Sequence, residues 1–251
     1  MADRRGVLVT GATGLLGRAL VTTFAGHGWA VAAHYRSDEA GAEELVRQVR
    51  ADGGVAVALS AELAQDDVDA RAEALLAAAE REVGPLRAVV LCASTQEVTS
   101  WDDLDATTWD RVYRDSLRHT AALLHAAGRR LPEQGAAVVI GSIEGLRPAH
   151  RHTAYAVMKA ATHHLVAAAA YQLGPRSVRV VGVAPGLIDR PGLAQDWPQG
   201  LQRWRETAAL HRPVTAREVA AVAAFCASPA ASGLTGVVIP VDAGWSASPG
   251  W

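Results

Sequence analysis

A tyrosine and a lysine stand four residues apart in the stretch Y-A-V-M-K at 155–159. In a helix, residues at i and i+4 share one face, so the phenol of Tyr155 and the ammonium of Lys159 project together. Because a nearby cation stabilises phenolate, we expect Lys159 to lower the pKa of Tyr155 from about 10 towards neutrality. Such a tyrosine can donate a proton to a carbonyl oxygen or take one from an alcohol. Lys159 is also the only lysine among 24 basic residues, which marks a place where arginine does not serve.

Ser142 lies thirteen residues before Tyr155, where an apolar run typical of a buried strand ends. Open α/β sheets bind ligands at the carboxyl ends of their strands, so this hydroxyl is placed to hold a substrate oxygen beside the phenol. A simple strand-end cap is the alternative interpretation. Glu144, His150 and His152 lie close by in sequence and are candidates for substrate contact, although a lone histidine is more often a surface or capping residue.

Three glycines, Gly11, Gly14 and Gly17, separate the first apolar run from a helical segment. Glycines at a strand-to-helix turn let the backbone approach a pyrophosphate, and the helix N-terminus supplies free N–H groups. The alternative is a plain turn. After the second strand come Arg36 and Ser37, where an NAD site usually has an acid and an arginine accommodates a 2′-phosphate. Arg36 and Ser37 therefore favour NADPH over NAD. Asp38 favours NAD instead, because a small shift of the loop would bring its carboxylate to the ribose 2′-hydroxyl.

Apolar runs and helical segments alternate along the chain. Strands are predicted at 6–10, 30–35, 55–59, 88–92, 136–142, 178–183 and 237–241, and helices at 43–50, 66–82, 109–129, 153–173 and 216–227, with another containing Leu16, Leu20 and Phe24. This alternation predicts an α/β fold: a single-domain Rossmann fold with a doubly wound, seven-stranded parallel sheet and helices on both faces. We predict one domain over 1–251, with a lid insertion at about 190–213 in which Trp197 and Trp204 form an aromatic wall over the substrate or simply pack on the protein.

Composition excludes several classes of function. The chain has 251 residues, 50% of them hydrophobic, and a net charge of −2, so it has no electrostatic footprint for nucleic acid or an anionic membrane. Its longest apolar run is too short to span a bilayer. Two cysteines, Cys92 and Cys226, cannot form a disulfide framework, and no His/Cys/Asp/Glu spacing resembles a metal site. We therefore expect no metal and a cytoplasmic location.

Over almost its whole length the chain resembles the short-chain dehydrogenases/reductases. The matching motifs are T-G-A-T-G-L-L-G at 10–17, Ser142, Y-A-V-M-K at 155–159, A-P-G at 184–186 and V-V-I-P-V-D-A-G-W at 237–245. The segments V-A-A-H-Y-R-S and L-C-A-S-T resemble the pteridine-reductase-like branch, whose members use NADPH. The resemblance implies hydride transfer from nicotinamide to a carbonyl, with Tyr155 as acid, Lys159 holding the ribose hydroxyls and Ser142 orienting the carbonyl.

The resemblance also assigns most of the remaining site residues. The predicted cofactor contacts are Gly11, Thr13, Gly14, Leu15, Leu16, Gly17, Arg36, Ser37, Glu62, Leu63, Cys92, Ala93, Tyr155, Lys159, Pro185, Gly186 and Ile188. The predicted substrate contacts are Ser94 and Leu187 and, from their positions in the sequence, Glu144, His152, Trp197 and Trp204. The resemblance further implies a homodimer or homotetramer.

Four positions depart from the family pattern. Leu15 replaces a glycine of the phosphate turn, L-C-A-S at 91–94 replaces Asn-Asn-Ala-Gly and its bracing amide, and Arg190 stands where a threonine is common. Ser116 takes the place of the catalytic asparagine, and a serine is shorter and lacks the amide's paired donors and acceptor.

We expect an NADPH-dependent reductase of a cyclic or polycyclic ketone, in keeping with secondary metabolism. The departures keep two alternatives open: a non-redox dehydratase, isomerase or cyclase, and a nucleotide-binding regulatory subunit.

Overall fold

The computed structural model describes residues 5–248, and seven strands in this range form one parallel sheet. The strand order is β3-β2-β1-β4-β5-β6-β7, and each neighbouring pair is parallel. The strands are β1 Gly6–Val9, β2 Ala30–Tyr35, β3 Val55–Ser60, β4 Leu86–Leu91, β5 Ala136–Ile140, β6 Arg179–Pro185 and β7 Val238–Val241. The predicted doubly wound fold is confirmed.

Helices cover both faces of the sheet. They are α1 Leu15–Gly26, α2 Glu39–Ala51, α3 Val68–Val83, α4 Ala106–Val112, α5 His119–Arg130, α6 Thr153–Leu173, α7 Leu193–Asp196, α8 Pro198–Thr207 and α9 Ala216–Ala227. The bounds of α6 and α9 are those predicted. The long helix predicted at 109–129 is interrupted instead, because a π-helical turn, Tyr113–Arg118, joins α4 to α5.

Two apolar layers fix these helices on the sheet. Phe24 of α1 is fully buried on one face, where it meets Trp29 edge-on. On the other face Leu76 of α3 and Leu123 of α5 are fully buried. Burial on both faces explains why most strands are continuous apolar runs rather than alternating patterns. No helix among residues 5–248 is long and apolar enough to cross a membrane.

The strand order reverses at β1, which lies between β2 and β4. A doubly wound sheet opens a crevice at the carboxyl edge beside such a reversal, and ligands bind there. The stretch between β6 and α9, predicted as an insertion, contains the short helices α7 and α8. The fold thus gathers the loops after six strands, the start of α6 and this helical pair around one edge.

Candidate active site

A cavity of about 1370 Å³ opens at the carboxyl edge of the sheet. Ser142, Tyr155 and Lys159 line it together with the glycine turn after β1. The structure brings nearly all the predicted site residues to this one cavity; besides those discussed below, they include Glu62, Leu63, Pro185 and Gly186. Two do not line it, namely Leu15 and Ser116. Among the described residues, no group of three or more His, Cys, Asp or Glu side chains is placed to hold a metal ion.

The N-terminus of α1 faces the cavity without a cap. Gly14 is the N-cap residue and makes no side-chain cap hydrogen bond, and the first turn holds no acidic residue. The N–H groups of this turn are therefore available to an anion, and the helix dipole favours negative charge there. Gly11 has a φ of 66°, and a Cβ on it would come within 2.9 Å of the backbone of Ala93. This tight, uncapped turn fits a pyrophosphate, with Thr13, Gly14, Leu16 and Gly17 along it.

The Leu15 side chain does not line the cavity, and its contact with a cofactor stays a prediction. Leu15 is the first residue of α1, and it is 47% exposed outside the cavity. At that helical position the side chain turns towards solvent, so only its backbone is part of the phosphate turn.

Thr10 ties β1 to β4 at the floor of the cavity. Its buried Oγ1 accepts hydrogen bonds from the backbone N–H of Cys92, at 2.9 Å, and of Ala93, at 3.1 Å. These two hydrogen bonds join the end of β1 to the end of β4. The junction therefore does not need the asparagine amide that the family pattern has and that L-C-A-S at 91–94 lacks. Both Cys92 and Ala93 line the cavity, as predicted.

Arg36, Ser37 and Asp38 line the far end of the cavity, after β2. The Asp38 carboxylate caps α2, because its Oδ1 accepts from the backbone N–H of Gly41 at 3.0 Å. It is thus already engaged in a helix cap, whereas Arg36 is exposed. This arrangement leaves the guanidinium as the charged group free to meet a phosphate.

His34, which the sequence analysis did not single out, holds the same end together. Its Nδ1 accepts from the backbone N–H of Gly11 at 3.4 Å, so Nε2 carries the proton and donates to the carbonyl of Ala61 at 3.0 Å. Burial lowers the pKa of His34 to about 4, and burial likewise lowers that of His119 to about 4. Both imidazoles line the cavity. The only signal in the sequence was a histidine inside an apolar strand.

Ser142, Tyr155 and Lys159 meet where β5 ends and α6 begins. Ser142 Oγ accepts from the backbone N–H of Glu144 at 3.1 Å, and the Ser142 hydroxyl lies close enough to the Tyr155 phenol to lower its pKa. Lys159 Nζ donates to the carbonyl of Ile140 at 3.1 Å and lies 5.4 Å from the centroid of the Tyr155 ring. The predicted juxtaposition of the three groups is present.

The predicted effect of Lys159 on Tyr155 is absent. Burial raises the pKa of the phenol well above its ordinary value, Glu144 raises it further, and the Ser142 hydroxyl opposes them. The Lys159 ammonium lies over the Tyr155 ring and makes no hydrogen bond to the hydroxyl in the described chain. Burial also lowers the pKa of Lys159 itself to about 8.

Ser116 lies in the π-helical turn and is buried behind the cavity wall. Ser94, which lines the cavity, donates from its Oγ to Ser116 Oγ at 3.1 Å. The carbonyl of Ser116 accepts from Thr120 Oγ1 at 2.8 Å. Ser116 does not line the cavity itself and contacts two residues that do, because its Oγ accepts from Ser94 and donates to the carbonyl of Thr95 at 3.4 Å. Its catalytic role stays a prediction.

A second polar group lies beside Tyr155. His152 Nδ1 is 2.9 Å from Glu144 Oε2, and Gln96 Nε2 donates to Glu144 Oε1 at 3.1 Å. All three side chains line the cavity, as does His150. Gln96 was not predicted, since a glutamine in a loop carries no sequence signal.

Indole rings form the opposite wall. Trp204 stacks on Trp245 with ring centroids 5.4 Å apart and planes 7° apart, and its Nε1 donates to the carbonyl of Arg212 at 3.1 Å. Trp197 also lines the cavity and packs against Gly200, where a Cβ would overlap the indole. Both predicted indoles thus line the cavity. Trp245, which is separated from Trp204 by forty residues, is an addition that the sequence does not reveal.

The start of the insertion completes the lining. Leu187, Ile188 and Arg190 lie on it, and Ile188 forms an isolated parallel bridge with Val214. Arg190 Nη1 donates to Asp196 Oδ2 at 2.6 Å, so the residue that departs from the family pattern pairs within the lid.

Comparison with known proteins accords with this arrangement. The family model described as enoyl-(acyl carrier protein) reductase matches residues 11–246. A 3β-hydroxysteroid dehydrogenase of Eggerthella lenta is 30% identical over 252 residues, which cover 98% of this chain and 95% of that protein.

Two solved structures are similar over nearly the whole chain. The promiscuous reductase LugOII, which catalyses keto-reduction at C1 during lugdunomycin biosynthesis, is 30% identical with a TM-score of 0.89, covering 96% of this chain and 97% of its own. A short-chain dehydrogenase of Burkholderia cenocepacia in complex with NADP is 28% identical with a TM-score of 0.87, covering 96% and 98%. The narrower resemblance to the pteridine-reductase-like branch stays a prediction. With the matched family model, the parallel seven-stranded sheet and the gathered site, the chain belongs to the short-chain dehydrogenase/reductase family of oxidoreductases.

Proposed function

We propose that this enzyme uses NADPH to reduce a carbonyl of a cyclic or polycyclic substrate to an alcohol, with Tyr155 as the general acid. One observation carries the proposal: the neighbouring hydroxyls of Ser142 and Tyr155 line the same cavity as the uncapped N-terminus of α1. The first pair can hold and protonate an oxygen, and the second can hold a dinucleotide.

The described residues fit a nicotinamide dinucleotide. The N-terminal turn of α1 would hold its pyrophosphate, Arg36 and Ser37 its adenosine ribose, and Lys159 the ribose next to the nicotinamide. When bound, NADPH supplies the hydride that the carbonyl carbon accepts. Preference for NADPH over NAD is supported by Arg36, by the engagement of Asp38 in a helix cap, and by the NADP bound to the Burkholderia relative.

Tyr155 is suited to give a proton rather than to take one. Burial and Glu144 raise the pKa of its phenol, so the hydroxyl stays protonated at neutral pH until a substrate oxygen gains negative charge. Ser142, whose hydroxyl neighbours that phenol, would hold the same oxygen and direct it towards the acid. The proton then passes from the Tyr155 hydroxyl to the oxygen as the alcohol forms.

The stacked indoles of Trp204 and Trp245 support a flat, apolar substrate. Large aromatic faces bury much apolar area and favour ring systems packed against them. One relative is named as a hydroxysteroid dehydrogenase, and a steroid is a polycyclic substrate. LugOII is described as catalysing keto-reduction during lugdunomycin biosynthesis. A role in secondary metabolism is in keeping with both.

The test is to incubate the purified enzyme with NADPH and a panel of cyclic and polycyclic ketones while following nicotinamide absorbance and product together. One NADPH oxidised per alcohol formed supports the proposal. A product formed with no absorbance change would replace it with the non-redox alternative, and no turnover on any ketone would favour a regulatory subunit.

We also propose that the enzyme is a homodimer or homotetramer and acts in the cytoplasm. The outer faces of the π-helical turn and α6 support assembly, since Tyr113 and Val157 are large apolar residues that are more than 40% exposed. Light scattering coupled to gel filtration measures the assembly, and a monomer at micromolar concentration would contradict it.

A further inference from the structure

Glu144, His152 and Gln96 form a polar cluster that the proposed reaction does not use. They come from the loop after β5, the residue preceding α6 and the loop after β4, and they converge on one wall of the cavity. Glu144 and His152 are largely shielded, with side-chain exposures of 18% and 21%. His152 is the N-cap residue of α6, yet its side chain makes no cap hydrogen bond and turns to Glu144 instead.

The carboxylate fixes which nitrogen of His152 carries a proton. A carboxylate only accepts hydrogen bonds, so the 2.9 Å contact between Nδ1 and Glu144 Oε2 requires a proton on Nδ1. In the neutral imidazole, Nε2 is then an acceptor with a free lone pair. The Gln96 amide donates one N–H to Glu144 Oε1. Gln96 Nε2 also lies 3.4 Å from His152 Nδ1, but a protonated Nδ1 cannot accept a hydrogen bond, so the second N–H of Gln96 has no acceptor within the cluster.

The cluster therefore presents one hydrogen-bond acceptor, His152 Nε2, and one donor, the second N–H of Gln96, close to Tyr155. The His152 and Tyr155 rings lie edge to face with centroids 6.5 Å apart. A hydroxyl group satisfies both, because it donates to His152 Nε2 and accepts from the Gln96 amide. A carboxylate or phosphate would be repelled by Glu144, and an ammonium group has no lone pair for Gln96.

We propose that this cluster is a subsite for a substrate hydroxyl, so that the preferred substrates are hydroxyketones with an alcohol or phenol near the reacting carbonyl. The inference rests on the proposed function for the identity of the reaction and deepens it by naming the second functional group of the substrate. Glu144 acts through His152 as a positioning residue.

The first experiment compares unsubstituted tetralone with its ring-hydroxylated isomers in a mildly alkaline buffer, in which free imidazole is neutral. For the wild type, we expect kcat/KM to be higher for at least one hydroxylated isomer. His152→Phe keeps a ring but removes the acceptor, and we expect the ratio of hydroxylated to unsubstituted kcat/KM to fall at least about tenfold. His150→Phe is the matched control: His150 lines the same wall but makes no hydrogen bond to Glu144 in the described chain.

Glu144→Leu separates positioning from direct contact. Without the carboxylate the imidazole can exchange its two tautomers, so we expect a smaller loss of the same preference. The proposal would be overturned if His152→Phe left the ratio of hydroxylated to unsubstituted kcat/KM unchanged, or if His150→Phe lowered that ratio equally.

Binding distinguishes failure of the subsite from failure of the reaction. Calorimetric titration of the enzyme with NADP⁺ and then with naphthol or naphthalene needs no turnover. Naphthol bound more tightly by wild type than by His152→Phe supports the subsite even if no ketone is reduced. Equal affinity for naphthol in the two proteins would overturn it even if ketones are reduced.

Discussion

Lys159 lies over the ring of Tyr155, with its Nζ 5.4 Å from the ring centroid, and directs its charge to the carbonyl of Ile140 rather than to the phenol oxygen. The lysine thereby joins α6 to the end of β5, where Ser142 follows two residues later. Its ammonium also attracts the electron-rich face of the ring. The chain's only lysine thus helps to position Tyr155 in this structure.

Replacing the phenol tests the acid directly. We expect Tyr155→Phe to reduce kcat for ketone reduction at least about a hundredfold, because general acid catalysis contributes roughly that much or more. Affinity for NADPH, measured by fluorescence titration, should change little. Tyr171→Phe is the matched control, since Tyr171 is on the same helix and 84% exposed. Turnover of Tyr155→Phe at the wild-type rate would remove Tyr155 from the mechanism.

The bracing of β1 against β4 gives a stability prediction. Thr10→Val keeps the shape of the side chain but leaves the N–H groups of Cys92 and Ala93 without their acceptor. We expect the free energy of unfolding to fall by about 1–3 kcal/mol, measured by urea denaturation. Thr10→Ser keeps the hydroxyl and should lose much less. Equal losses in the two variants would show that the methyl group, not the hydrogen bonds, stabilises this junction.

Arg36 should decide between the two nicotinamide cofactors. We expect Arg36→Gln to lower kcat/KM for NADPH by about 10–100-fold, because the variant loses a charge-assisted contact with the 2′-phosphate. We expect kcat/KM for NADH to change by no more than a few-fold. Arg47→Gln is a control on α2, where Arg47 pairs with Glu44 away from the cavity. A parallel fall with both cofactors would show that Arg36 does not recognise the 2′-phosphate.

Acid should destabilise the protein before its carboxylates titrate. Burial lowers the pKa of His34 and of His119 from 6.5 to about 4, so the unfolded chain binds protons more tightly than the folded one. Their contribution to stability is full above pH 6.5 and is lost as the pH falls towards 4, by up to about 3 kcal/mol for each.

The measurement is the urea midpoint across that pH range. His34→Gln and His119→Gln should each flatten the dependence, whereas His27→Gln, at an exposed position, should not. A wild-type midpoint that is constant between pH 6.5 and 4 would contradict the prediction.

The main elements and most of the site were predictable because they depend on local patterns. A continuous apolar strand, a glycine turn and a tyrosine one helical turn before a lysine each leave a mark in sequence. Where the outcome depends on side-chain orientation or long-range packing, prediction failed. The position of Lys159 over the ring follows from its hydrogen bond to a strand nineteen residues earlier, and the stacking of Trp245 on Trp204 follows from how β7 ends.

The π-helical turn shows the same limit. Its sequence has ordinary helical composition, and the extra residue per turn is stabilised by tertiary contacts such as the hydrogen bond between Ser94 and Ser116. The turn places the Ser116 hydroxyl against that of Ser94 and off the cavity wall, a position that its sequence does not indicate.

The contact between Gly200 and Trp197 makes the lining of the cavity sensitive to a substitution at position 200. The indole occupies the space that any larger side chain at 200 would need, so alanine or serine there would turn the ring aside. The phosphate turn and the acid lie on other elements and would keep their geometry. We therefore expect a substitution at Gly200 to change the size of substrate that the cavity admits while leaving the geometry of Tyr155 and Ser142 in place.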